Sequence, residues 1–126
     1  MQPTIFGEVS NSMRIAREEV FGPILSIIPF ADEAQAIEIA NDTIYGLASG
    51  VWTSNIRRAF TMADRIRVGT VWVNTYRAVS YMAPFGGYKM SGIGRESGLA
   101  AIDEYLQSKS VWINLAEGIA TPFVIR

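Results

Sequence analysis

The chain has 126 residues and a formal net charge of -1, from 11 Lys plus Arg against 12 Asp plus Glu, with 49% apolar and 18% charged residues. That mix excludes a disordered chain, gives no electrostatic ground for a nucleic-acid or anionic-membrane partner, and suits one folded domain burying roughly two-thirds of its unfolded surface. Cysteine and histidine are both absent, which excludes disulfides, thiol nucleophiles, histidine acid–base steps and Cys/His metal centres within these residues.

In chain order, Thr4 to Val9 is the first strand candidate, followed by the polar turn Ser10-Asn11-Ser12. A mixed segment from Met13 to Glu19 runs into Gly22-Pro23, a strong breaker. Ile24 to Phe30 reads as a buried parallel strand, because its near-continuous apolar run suits a strand covered on both faces. It is interrupted by Ser26 and Pro29 and falls far short of the ~20 residues that span a bilayer. The N-terminus shows no basic region followed by an apolar run, so no secretory signal is read, and the missing cysteines fit a cytoplasmic location.

Asp32 is expected to cap the next helix, with Gln35 three residues on completing a capping box. Ala34, Ile37 and Ala40, with Ala36 and Ile39, supply its apolar side, and Tyr45-Gly46 ends it. Leu47 to Thr53 is the second strand. Ser54 caps a second helix whose Ile56, Ala59, Phe60 and Ala63 fall at i, i+3, i+4, i+7. Gly69 stands where a left-handed residue would close that helix, and Thr70 to Asn74 is the third strand. Two successive βαβ units predict an α/β fold with a parallel βαβαβ core. Residues 75–94, with Pro84 and Gly86, Gly87, Gly92 and Gly94, form a long loop of the kind that is usually functional. A third helix is expected from about Arg95 to Gln107, then a strand from Ser108 to Leu115; the tail Ala116 to Arg126 is weakly patterned.

Taken alone, the motifs are modest. Gly92-Ile93-Gly94-Arg95-Glu96-Ser97-Gly98 resembles a dinucleotide fingerprint, but Ser97 holds the place of the third glycine and no strand precedes it. A glycine-rich turn feeding a helix is the better reading. Asn41-Asp42-Thr43 fits a helix C-terminus better than a glycosylation site. Glu18-Glu19 either binds ribose hydroxyls or solvates a surface. Phe85 packs in a core or lines a pocket, and a lone Lys89 reads as solvated rather than phosphate-binding.

Three longer motifs occur in order: Glu18-Glu19-Val20-Phe21-Gly22-Pro23, then Asn41-Asp42-Thr43-Ile44-Tyr45-Gly46-Leu47-Ala48, then Pro84-Phe85-Gly86-Gly87-Tyr88-Lys89-Met90-Ser91-Gly92-Ile93-Gly94-Arg95-Glu96. With Pro3-Thr4 and Gly69 to Asn74 they make residues 2–115 resemble the C-terminal part of an NAD(P)-dependent aldehyde dehydrogenase. The resemblance implies oxidation of an aldehyde to a carboxylic acid, by a cysteine thiolate, a glutamate base and NAD or NADP. This chain carries no such thiol, so its own isolated activity is expected to be nil and its metal content none.

By the same resemblance, Glu19 accepts hydrogen bonds from the nicotinamide-side ribose, and Phe21 packs near the nicotinamide. Phe85 walls the aldehyde pocket, and the loop Tyr76 to Ala83, with Val79, shapes substrate choice. Glu96 matches a carboxylate that relays protons in some members; read from the residues it is a helix cap or ion-pair partner. Ser110 to Leu115 matches the strand that joins a neighbouring subunit, which implies a homo-oligomer. Residues 1–107 then belong to the catalytic domain, and 108–126 form an oligomerisation strand and tail. The competing reading is a non-catalytic module that binds its own kind or other subunits.

Overall fold

The computed structural model describes residues 2–115, 117 and 118, so most of the tail Ala116 to Arg126 lies outside the described residues. The chain is α/β with parallel strands. β1 (Thr4–Phe6) leads through a one-turn helix α1 (Arg14–Arg17) to β2 (Ile24–Ser26). Then come α2 (Glu33–Asn41), β3 (Ala48–Val51), α3 (Ile56–Arg65) and β4 (Thr70–Val73). A short 3-10 turn at Lys89–Ser91 and a 3-10 helix at Leu99–Tyr105 complete the order.

The strands pair differently from the expected three-stranded core. β1 pairs with β2, Thr4 opposite Ile24, and β3 pairs with β4, Ala48 opposite Thr70; both ladders are parallel, and they form two separate two-stranded sheets. The βαβ unit β3-α3-β4 therefore stands as expected, whereas β2 has Thr4–Phe6 as its partner instead of β3. Each strand is only three or four residues long because its ladder ends where its one partner ends. Beyond β2 the pairing loosens but continues, with Ile27 N–H donating to Phe6 O at 2.8 Å and Val9 N–H to Ile27 O at 3.0 Å.

The helix starts follow short-range chemistry. Asp32 Oδ1 accepts from the Gln35 amide at 2.8 Å, while the Gln35 side-chain oxygen accepts from the Ala31 amide at 2.6 Å, so the box closes one residue before the cap. At α3 the cap is Asn55 instead of Ser54: its Oδ1 accepts from the Arg58 amide at 3.2 Å. α2 stops at Asn41, ahead of Tyr45-Gly46. α3 buries Ala59 and Ile66 with half-buried Met62, while Ile56, Phe60 and Ala63 stay exposed. Of the i, i+3, i+4, i+7 stripe, only Ala59 is thus covered by this chain. Gly69 has an ordinary negative φ, and its role is close approach. A Cβ there would collide with the carbonyl of Gly86, which seats the glycine-rich loop against the start of β4.

Burial is thin. Val9, Val51, Ala59 and Ile66 are the buried apolar residues among those described. The accessible surface is 10921 Å², against roughly 6,700 Å² for a compact monomer of this mass. An unfolded chain of this mass exposes about 20,000 Å², so a little under half is buried instead of two-thirds. The shortfall lies in apolar faces such as Ile5, Leu25, Phe60 and Trp112, which pack on nothing substantial here. The expected helix from Arg95 is the shorter 3-10 helix, and residues 106–115 carry no ladder. A strand has no stabilising pairing without a neighbour, so Ser110 to Leu115 is unformed in the single chain.

Candidate functional site

The loop after β4 and the glycine-rich turn meet at an antiparallel bridge. Phe85 N–H donates to Glu96 O and Glu96 N–H donates to Phe85 O, both at 2.7 Å. Between them the chain doubles back through Gly86, Gly87, Gly92 and Gly94. Arg95 holds that excursion in shape: one guanidinium nitrogen donates to Gly87 O at 2.9 Å and Gly94 O at 2.8 Å, and the group lies 5.4 Å over the Tyr88 ring. Ser97 has φ +61°, the left-handed conformation that a glycine would adopt without strain.

A cleft of about 340 Å³ opens beside this bridge, lined by Thr70, Val79, Tyr81, Phe85, Glu96 and Ser97 among others. A second of about 620 Å³ lies on the other side of Val79 and Phe85, toward β3 and Trp72. Val79, Phe85 and Glu96 thus line one cleft. Phe85 is half-buried and belongs to the wall; Val79 is 76% exposed.

Glu19 and Phe21 lie elsewhere, in the extended link between α1 and β2, and line neither cleft. Phe21 is 95% exposed. The Glu19 side chain is exposed and makes no hydrogen bond to another described residue, whereas its neighbour Glu18 is taken by Arg14 at 2.8 Å. An open carboxylate beside an open ring fits the ribose and nicotinamide end of a dinucleotide, since one carboxylate accepts from two hydroxyls. It does not fit the remainder of such a molecule, for which these residues provide no enclosing surface.

What sequence reasoning missed is the hub that ties these parts together. Lys89, read as solvated, donates its ammonium protons to Asn41 O at 3.0 Å and Thr43 O at 3.1 Å, closing the C-terminus of α2. Asn41 bridges to Arg65 O and the Arg67 amide beyond α3. Gly46 O accepts from both Gly69 N–H and Tyr88 N–H, and Ser91 Oγ accepts from Gly46 N–H. Asp42 anchors the N-terminal segment through Arg17, at 2.7 Å and 3.0 Å, and Asn11 at 2.7 Å. The signal was the pairing of two polar motifs 48 residues apart, which no local pattern exposes.

Asp42 makes this hub acid-sensitive. The Arg17 hydrogen bonds hold its carboxyl below the usual aspartate value, outweighing the cost of desolvation, with Asn11 and Lys89 helping. A carboxylate that binds its proton less readily folded than unfolded loses its contribution as pH falls through the folded value. Stability should therefore decline from about pH 5 down past the ordinary aspartate value near 3.9. Asp42→Asn is expected to lower stability at pH 7 and flatten that decline, as read by urea melts at pH 7, 5 and 3. An unchanged acid slope would remove Asp42 from this role.

Parallel strands with a helical crossover and a glycine-rich turn bridged at Phe85 and Glu96 define an α/β chain. The sequence profile described as the aldehyde dehydrogenase family matches residues 1–111, and the chain belongs to that family. An aldehyde dehydrogenase of Emericella nidulans is 48% identical over 119 residues, 94% of this chain and 24% of that protein. The solved indole-3-acetaldehyde dehydrogenase AldA of P. syringae, in complex with NAD+ and IAA, is 54% identical with a TM-score of 0.84, covering 90% of this chain and 23% of that one. Betaine aldehyde dehydrogenase of Staphylococcus aureus in complex with NAD+ superposes with a TM-score of 0.87 at 43% identity, covering 97% and 24%. The chain therefore spans about a quarter of the length of the relatives it matches.

Proposed function

We propose that this chain supplies part of the substrate wall and the ribose-binding carboxylate of an NAD(P)-dependent enzyme that oxidises an aldehyde to a carboxylic acid. The observation that carries the reading is the bridge between Phe85 and Glu96, which brings Val79, Phe85 and Glu96 onto one cleft. Residues 1–107 are assigned to the catalytic domain and 108–126 to an oligomerisation strand and tail.

Bound NAD or NADP would supply the hydride acceptor. Glu19 would accept from the ribose hydroxyls and Phe21 would restrict the ring beside them. Val79 and Phe85 would exclude water from the aldehyde's substituent, and Glu96 would hold a proton in transit at its carboxylate. The thiol nucleophile that aldehyde oxidation needs is not among these residues, so the catalytic residues proper are contributed by other sequence.

In a full-length polypeptide containing this chain, Glu19→Gln is expected to weaken cofactor handling much more than aldehyde binding. Losing a charge-assisted hydrogen bond costs about 1.5–3 kcal/mol, roughly a tenfold to hundredfold effect. Steady-state and single-turnover kinetics separate the two; unchanged cofactor parameters with an unchanged hydride-transfer rate would reject the assignment.

A second reading, a self-associating module without catalysis, is favoured by the exposure of Val111, Trp112, Ile113 and Leu115 in one short segment. The two readings share the same oligomerisation strand and differ in whether a thiol-bearing partner completes the site.

A further inference from the structure

The loop from Asn74 to Ala83 carries Val79, yet few backbone hydrogen bonds fix its course. Asn74 and Arg77 both sit in the left-handed region, at φ +53° and +57°, an unfavourable conformation for residues other than glycine. At Asn74 the residue's own side chain holds that course, its Oδ1 accepting from Thr53 N–H and its Nδ2 donating to Thr53 O, both at 2.8 Å; beyond it, one further side chain holds the loop at two points. The indole N–H of Trp72, on β4, donates to Ala78 O at 2.7 Å. The same ring meets Tyr76 edge to face, with centroids 5.5 Å apart and planes at 76°. Tyr76 in turn lies under the Arg77 guanidinium at 5.5 Å. Trp72 is half-buried and rooted in a ladder that pairs Gly50 with Trp72, so its own position is set by the sheet.

We propose that Trp72 is a positioning residue for the substrate wall: its indole N–H and ring fix residues 76–78 and thereby set where Val79 stands between the two clefts. The inference rests on the aldehyde-pocket reading above for what the wall sorts, namely the aldehyde's substituent. The holding of the loop by Trp72 is a separate claim and is tested separately. An aliphatic residue at position 72 would fill space on the sheet but could neither donate to Ala78 O nor present an aromatic face to Tyr76.

Two measurements on the full chain test it. The three indole N–H resonances form an internal comparison, because Trp52 and Trp112 are 65% and 95% exposed. The Trp72 N–H is expected to exchange with water more slowly than the other two, by about fivefold for one hydrogen bond. Trypsin cleavage after Arg77 reports the loop itself. Trp72→Phe keeps a ring but loses the donor, and is expected to raise that cleavage about fivefold while leaving cleavage after Arg57 and Arg65 on α3 unchanged.

Equal exchange of all three indoles, unchanged cleavage after Arg77, or a uniform rise at every site would each overturn the proposal. A loop that loosens selectively supports it even where the Glu19→Gln kinetics reject the enzymatic reading, so the two failures are distinguishable.

Discussion

Acetaldehyde or longer aldehydes incubated with the purified chain and NAD+ or NADP+ are expected to give no reduced cofactor. Aldehyde oxidation by this family's chemistry begins with a thiolate adding to the carbonyl, and the chain has no cysteine. A serine hydroxyl is a poor substitute, since it is almost fully protonated near neutral pH and no histidine is present to take its proton. Removing the nucleophile from an enzyme that depends on one costs on the order of a millionfold in turnover. Glu96 does not restore the step: its backbone is held by Phe85, and a carboxylate that relays protons needs an adduct to act on. Absorbance at the reduced nicotinamide band, on protein cleared of host dehydrogenases, makes the measurement. Steady turnover abolished by Glu19→Gln would show a complete site in this chain and refute the expectation.

Self-association is the second large effect expected. Val111, Ile113 and Leu115 alternate with Trp112 and Asn114, so an extended conformation gives the segment an apolar face. In the single chain these apolar residues are exposed, with Trp112 at 95%, and the segment makes no ladder. Pairing with an equivalent segment or a sheet edge would satisfy its backbone and bury that face. A symmetric dimer is the simplest closed product. The wild type is expected to sediment as a dimer or larger species at high micromolar concentration. Val111→Lys combined with Ile113→Lys should weaken association by at least about a hundredfold, since each replaced side chain forfeits about 1.5–3 kcal/mol of burial. A monomeric wild type, or a variant that associates equally well, would end the expectation.

The second expectation follows from how much apolar surface this chain leaves uncovered. Its surface is more than half as large again as a compact monomer of its mass would expose, and many large apolar side chains are among the exposed residues. The faces of α3 at Ile56 and Phe60 and of the β1–β2 pair at Ile5 and Leu25 are patterned for burial, yet they meet little of this chain. That explains why the hydrophobic period of α3 located the helix while Ile56 and Phe60 of its stripe stay exposed beside buried Ala59. Periodicity reports which face is apolar, and only the neighbours decide which face is covered.

The sequence by itself determined the α/β class, the order of β1, β2, α2, β3, α3 and β4, and the cap at Asp32. These depend on chemistry within a few residues: an apolar run bounded by breakers, or a carboxylate three residues ahead of an amide. It also pointed to Glu19, Phe21, Val79, Phe85 and Glu96, through motifs long enough to carry a resemblance. Only the tertiary structure decided that β2 takes Thr4–Phe6 as its partner, that Lys89 closes α2 and that Trp72 holds Ala78. Strand pairing and side-chain-to-carbonyl contacts are set by which segments meet, and every strand here presents similar short apolar runs. Ser110 to Leu115 shows the same limit in reverse: its residues favour an extended strand, but a strand exists only where a partner completes its hydrogen bonds.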